Sequence, residues 1–129
     1  EGIKIEWEDL AYRQYTPDFV LPNGIIIETK GLFTVDDRRK HIAIQKQHPK
    51  LDIRFVFTSS KRKLQKGSKT TYGMWCEKNN FKYYDRIIPE GWLKERKKKP
   101  HPEFIKFTGK KIIRRYKWHR TDLKTYILN

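Results

Sequence analysis

The first pattern along the chain is IKIEW, Ile3 to Trp7, where apolar and charged residues alternate with the period of a half-buried strand. DFVLPNGIIIETKG, beginning at Asp18, predicts two strands joined at Pro22-Asn23-Gly24, because Asn-Gly readily supplies the positive φ of a tight hairpin. Ile25, Ile26 and Ile27 break the alternation, which predicts a strand covered on both faces and central in its sheet. Over 35–48, VDDRRKHIAIQKQH, the spacing becomes helical: Asp36 and Asp37 place negative charge in the first turn, and Pro49 ends the element. LDIRFVF, 51–57, returns to strand composition, and a strand–helix–strand order predicts that the two flanking strands are parallel neighbours. After the polar, basic loop 58–70, TYGMWCEKNN predicts a short helix and FKYYDRII a strand. PEGWLKE predicts a last short helix with Pro89 in its first turn.

These elements define an α/β fold with a mixed central β-sheet flanked by helices. At 129 residues the chain is one ordinary domain in size. We divide it into a core, 1–99, and a basic linker with C-terminal extension, 100–129. RKKKPHPEFIKFTGKK has linker composition, and IIRRYKWHRTDLKTYILN regains the aromatic and aliphatic content of a docked appendage.

Charge narrows the class of partner. Thirty Lys and Arg against 15 Asp and Glu give a formal net charge of +15, which is tolerated most easily when the partner is a polyanion such as nucleic acid. A membrane is the competing surface, but no apolar run approaches the roughly 18 residues of a spanning helix. EGIKIEWEDL has no basic segment followed by an apolar one, so the expectation is a soluble, intracellular protein. Cys76, the lone cysteine, can form no internal disulfide and is expected to be a small buried apolar residue.

Chemistry concentrates at the hairpin. Side chains two apart on a strand share a face, so Glu28 and Lys30 point one way and Thr29 the other. Pairing through the Asn-Gly turn would bring Asp18 to the same end of the sheet. Magnesium is a hard cation, and two carboxylates, the Thr29 carbonyl and a scissile phosphate form an oxygen shell suited to it. A neighbouring lysine can orient the attacking water and balance charge on the phosphate. The same three residues also read as a solvated cross-strand pair and a turn aspartate, although buried charge without a partner is costly on so apolar a strand. Arg38, Arg39 and Lys40 on the helix, and Lys61, Arg62, Lys63, Lys66 and Lys69 in the loop, are candidate contacts to DNA phosphates, as is the run Lys97 to Lys99. His41 and His48 are expected to be structural or exposed, and Glu6 and Glu8 to be surface charges. Trp75, Tyr83, Tyr84 and Trp92 are expected in the core.

YTPDFVLPNGIIIETKGLF, DDRRKHI, QHPKLDIRFVF and KGSKTTYGMWCEKNNFKY resemble the phage endonuclease I family of four-way DNA junction resolvases, a branch of the PD-(D/E)xK nucleases. The similarity runs from Gly2 to about Lys99. It implies a restriction-endonuclease-like nuclease core, with Asp18 and Glu28 as metal ligands and Lys30 as the catalytic lysine. It also implies Mg2+ as cofactor, with Mn2+ as a substitute, and a homodimer with exchanged elements. Such a phage-encoded enzyme would cut opposite strands of branched DNA in the host cytoplasm. In the family pattern an N-terminal helix supplies a further active-site glutamate, for which no position of this chain is a match. Three readings therefore stand: a metal-dependent junction-resolving endonuclease, a homing or transposition-type endonuclease using residues 112–129 for readout, or a catalytically impaired junction-binding protein.

Overall fold

The computed structural model of the chain describes residues 3–8, 12–96 and 104–105. In chain order the elements are β1 (Lys4–Glu8), β2 (Tyr12–Tyr15), β3 (Phe19–Val20), β4 (Ile26–Lys30), α1 (Val35–Gln47), β5 (Ile53–Phe57), α2 (Tyr72–Lys78), β6 (Tyr83–Asp85), α3 (Glu90–Leu93) and β7 (Phe104–Ile105). They form a mixed α/β fold with two sheets, β2-β1-β7 and β3-β4-β5-β6. In the larger sheet β3 is antiparallel to β4, whereas β4, β5 and β6 run parallel, as the strand–helix–strand order predicts.

The isoleucine triplet explains why β4 lies inside. Ile26 enters a cluster with Ile5, Phe33, Ile44, Phe55 and Phe57, while Ile25 and Ile27 face a second cluster with Leu21 and Val56. Alternate side chains of one strand therefore reach two separate apolar layers, and all three isoleucines are buried. Helix α1 crosses between β4 and β5 and begins at a capping box. The Thr34 hydroxyl accepts from the Asp37 N–H at 3.1 Å, and the Asp37 carboxylate accepts from the Thr34 N–H at 3.1 Å.

The hairpin between β3 and β4 differs in detail from the Asn-Gly expectation. Only Gly24, at φ 91°, has positive φ; its N–H donates to the Leu21 carbonyl at 2.8 Å, and the Leu21 N–H donates to that of Ile25 at 2.8 Å. Asn23 is instead a buried clasp. Its amide nitrogen donates to the carbonyls of Trp92 (2.7 Å) and Glu95 (3.3 Å), and its oxygen accepts from the Ile25 N–H at 3.2 Å. Beside it, Arg54 is 1% exposed and bonded to both Asp52 and Glu95, with its guanidinium 5.2 Å from the Trp92 ring centroid. A basic residue in the middle of IRFVF is thus accommodated by two acids and an aromatic face.

Several expectations need correction. IKIEW is a strand, the middle one of the smaller sheet, but it is not the half-buried alternation expected, because Ile5, Glu6 and Trp7 are all buried. Glu6, expected at the surface, is 0% exposed. The C-terminal end of α1 meets the backbone of this strand: His48 Nε2 donates to the Glu6 carbonyl at 2.6 Å, and the Gln47 amide pairs with both backbone groups of Glu8 at 2.7 and 2.6 Å. Glu8 is half-buried. Tyr84, expected in the core, is 48% exposed because it lies on the end strand β6, whereas Trp75, Tyr83 and Trp92 are half-buried. Two residues of the segment expected to be linker form β7, parallel to β1. Lys97 to Lys99 and residues 112–129 lie outside the described residues. Cys76 is buried as expected, and burial first, then Glu77, pushes its thiol up to about 12. Among the described residues no helix is long and apolar enough to cross a membrane.

Replacing Asn23 with Ala deprives the Trp92 and Glu95 carbonyls and the buried Ile25 N–H of this partner. We expect Asn23→Ala to lower unfolding free energy by about 1–3 kcal/mol, measured by urea denaturation; a loss within error would show that the clasp does not hold the hairpin.

Candidate active site

Asp18 immediately precedes β3, and Glu28 and Lys30 occupy the same face of β4. The antiparallel pairing Phe19↔Ile27 brings Asp18 beside Glu28 and Thr29. The contacts are reciprocal. The Asp18 N–H donates to Glu28 Oε2 at 3.1 Å, while Asp18 Oδ2 accepts from the Thr29 N–H at 2.9 Å and from the Thr29 hydroxyl at 3.0 Å. Two carboxylates are thereby fixed at one end of the hairpin, one exposed and one 4% exposed.

Glu28 has the most informative electrostatics. Burial first, and then repulsion from Asp18, raise its pKa to about 7, against the opposing pull of the Asp18 N–H, Lys30 and Lys40. The pair is therefore short of positive charge. Lys30 supplies some of it, but its ammonium is also 3.3 Å from Asp37 Oδ1, which ties the end of β4 to the first turn of α1. Burial alone would raise the Asp37 pKa, but the Thr34 backbone N–H and Lys30 bring it below the ordinary value.

His41 closes the inner wall. It is 0% exposed, with Nε2 3.9 Å from Glu28 Oε1 and its ring edge-on to Tyr15 and Phe55. Neither ring nitrogen has a hydrogen-bond partner among the described residues. Burial, followed by Lys40 and Lys30, lowers its pKa to about 3, so a neutral imidazole faces Glu28 and the contact is not an ion pair. Tyr15 is buried on the same side, and burial followed by the Glu28 carboxylate pushes its hydroxyl above the ordinary range. Helical spacing alone does not reveal that His41 sits against Glu28; only the α1 crossing does.

The donor set at this point consists of oxygens. Asp18 Oδ1, the Glu28 carboxylate and the Thr29 carbonyl are the groups that could hold a hard cation. Among the described residues no third Asp, Glu, His or Cys side chain completes a larger metal-holding group.

The basic candidates separate into distinct environments. Arg38 is buried, and its guanidinium donates to the Phe33 carbonyl, so it seats α1 and does not face solvent. Arg39 is exposed and 3.7 Å from Asp36, and the Lys40 ammonium lies 4.8 Å from the centroid of the Tyr15 ring. Lys61, Arg62, Lys63, Lys66 and Lys69 are all exposed. Their loop is ordered by backbone bonds from Tyr72 to Arg62, Leu64 to Thr70 and Gly73 to Ser60, with Gly67 at φ 84°. Leu32, two residues beyond Lys30, shares a shallow groove with Arg62, Lys63 and Lys66.

The chain matches the family described as Phage endonuclease I across residues 2–112, past Lys99 and through β7. It is 50% identical over 119 residues to Endonuclease I of Escherichia phage T7, spanning 86% of this chain and 80% of that protein. It is 56% identical over 123 residues to Endodeoxyribonuclease 1 of Enterobacteria phage T3, spanning 89% and 80%. Both comparisons point to one class, the phage endonucleases. The chain belongs to the phage endonuclease I family.

Glu28 and His41 give stability slopes of opposite sign. The pKa of Glu28 is about 7 folded against 4.5 ordinarily, so its contribution is full below pH 4.5 and is lost as pH rises toward 7. That of His41 is about 3 against 6.5, so its contribution is full above pH 6.5 and is lost as pH falls toward 3. In chelator, His41→Phe should make Tm fall more steeply with rising pH than in the parent, and Glu28→Gln should make it fall more steeply with falling pH. Parallel Tm curves for parent and variants would contradict the assignment of a neutral His41 against a hard-to-ionise Glu28.

Proposed function

We propose that this chain is a metal-dependent DNA endonuclease that cuts branched DNA, resolving four-way junctions. The observation that carries the reading is the reciprocal Asp18–Glu28–Thr29 arrangement, with Lys30 on the Glu28 face. The names of the relatives, an endonuclease and an endodeoxyribonuclease, support DNA as the substrate.

Asp18, Glu28 and the Thr29 carbonyl would hold Mg2+, with Mn2+ as a substitute. When bound, the ion lowers the pKa of a coordinated water and offsets charge developing on the phosphate. Asp18 is oriented for this by two hydrogen bonds from Thr29, and Glu28 by the Asp18 N–H. Glu28 must give up its proton to act as a ligand, and Lys30 and Lys40 favour that ionisation. Lys30 also orients the attacking water and stabilises the phosphate oxygens, while Asp37 fixes its ammonium. The exposed loop cations and Arg39 supply phosphate contacts that position DNA without reading sequence. A junction presents equivalent strands about a two-fold axis, and a homodimer with exchanged elements acting in the host cell would place one site on each.

A second reading, a junction-binding protein with impaired catalysis, is favoured by the two-carboxylate site among the described residues. Incubation with a mobile four-way junction and a matched linear duplex, with Mg2+ or chelator, separates the readings. We expect metal-dependent junction cleavage, reduced by roughly 10³-fold in Glu28→Ala, the scale of losing several kcal/mol of charge stabilisation. Cutting of linear DNA at one sequence would favour a homing-type enzyme. Tight junction binding without cleavage would leave the binder.

Binding should weaken steeply with salt. If Lys61 and Lys63 each contact a phosphate, the double Ala variant should lower the magnitude of the log–log salt slope by about 2. An unchanged slope in a binding titration would remove the loop from the interface.

A further inference from the structure

The parallel strands β4, β5 and β6 end in register: Lys30 is paired with Phe57 and Phe57 with Asp85. The next residues, Gly31, Thr58 and Arg86, therefore form a rim at the carboxyl edge of the sheet, the edge at which open α/β sheets bind ligands. A cavity of about 510 Å³ opens there, lined by Thr29, Lys30, Gly31, Thr58 and Arg86 among others. It begins at the candidate active site and ends at an arginine that no charge pattern in the sequence singles out.

Three observations converge on Arg86. Its φ is 72°, in the left-handed region that residues other than glycine adopt at a cost. The conformation is over-determined, because the Arg86 N–H donates to the Phe57 carbonyl at 2.7 Å and the Ile87 N–H to the Asp85 carbonyl at 2.8 Å, closing a γ-turn about Arg86. Its adjacent acid is engaged elsewhere: the Asp85 carboxylate accepts from the Ser60 N–H at 2.9 Å and from the Ser60 hydroxyl at 3.0 Å. Arg86 is exposed and takes part in none of the ion pairs among the described residues. The turn thus presents an uncompensated guanidinium at the mouth of a cavity that Lys30 also lines.

We propose that Arg86 binds a backbone phosphate of the DNA strand being cut, a short distance along it from the phosphate at Lys30. The inference rests on the nuclease reading and adds to it a specific contact. Two inter-strand steps separate the Lys30 and Asp85 positions, roughly 10 Å, which one nucleic-acid strand covers in about three nucleotides at 3.4 Å of rise each. The guanidinium can meet two phosphate oxygens at once, a geometry an ammonium does not match. The anion chemistry needs no base contact, consistent with a protein that recognises the shape of its DNA.

Arg86→Gly tests this, because glycine relieves the φ strain while deleting the cation. Binding of a labelled four-way junction is titrated with salt in chelator, and Tm and cleavage with Mg2+ are measured alongside. We expect Arg86→Gly to keep or raise Tm, to reduce the log–log salt slope by about 0.9, and to lower kcat/KM by roughly 10-fold. Arg86→Lys should restore the slope and only part of the affinity. A junction carrying one uncharged methylphosphonate, moved nucleotide by nucleotide, should weaken the parent at one position near the cut while leaving Arg86→Gly indifferent there. Parental affinity and slope in Arg86→Gly, with the parent still binding and cutting, would overturn this inference alone. A parent without salt-dependent binding would overturn it together with the nuclease reading.

Discussion

Burial of β4 on both faces is the constraint from which the rest of the site follows. Ile26 is committed to one apolar layer and Ile25 and Ile27 to the other, so the strand cannot turn to expose its polar end without uncovering one of them. Glu28 is carried inward by that commitment and has to be met by specific donors, since a carboxylate in such surroundings is poorly solvated. The Asp18 N–H is one such donor, and it is available only because the Gly24 turn folds β3 back at the register Phe19↔Ile27. The raised proton affinity of Glu28 is therefore a product of the fold as much as of its neighbour's charge.

Much of this arrangement was legible in the sequence, for physical reasons that can be named. The isoleucine triplet, the Asn-Gly turn and Pro49 each act over a few residues, and local rules predicted a covered strand, a hairpin and the end of a helix. Glu28 and Lys30 share a face because strand geometry has period two, whatever the tertiary context. What sequence did not disclose depends on which element crosses which. The backbone of β1 at Glu6 is met by His48 only once the end of α1 has reached that strand, and Arg38 turns inward because its guanidinium reaches the Phe33 carbonyl. His41 belongs beside Glu28 only once α1 has packed on the sheet. Arg54 shows the same limit, since its two acids come from residues two and 41 positions away.

Membership of the phage endonuclease I family and the geometry of the hairpin inform each other. The family identifies the kind of chemistry to seek, and the geometry identifies which atoms face one another: a carboxylate fixed by Thr29, a second fixed by a backbone N–H, and a lysine tethered to the first turn of α1. The two carboxylates and Lys30 of the candidate site are each held by groups of the protein itself, and fixed charges and dipoles are the condition under which electrostatic stabilisation is most effective.

The clasp of Asn23, Arg54 and Glu95 has a mechanical consequence. The last described residues before position 97 are pinned to the hairpin that leads into β4, through two carbonyls, a paired guanidinium and the Trp92 ring. Loosening of residues 92–95 would therefore be passed to Asn23 and Ile25, at the entrance of the strand that bears Glu28. The seating of the segment after α3 and the alignment of the acidic pair are mechanically joined through one side chain.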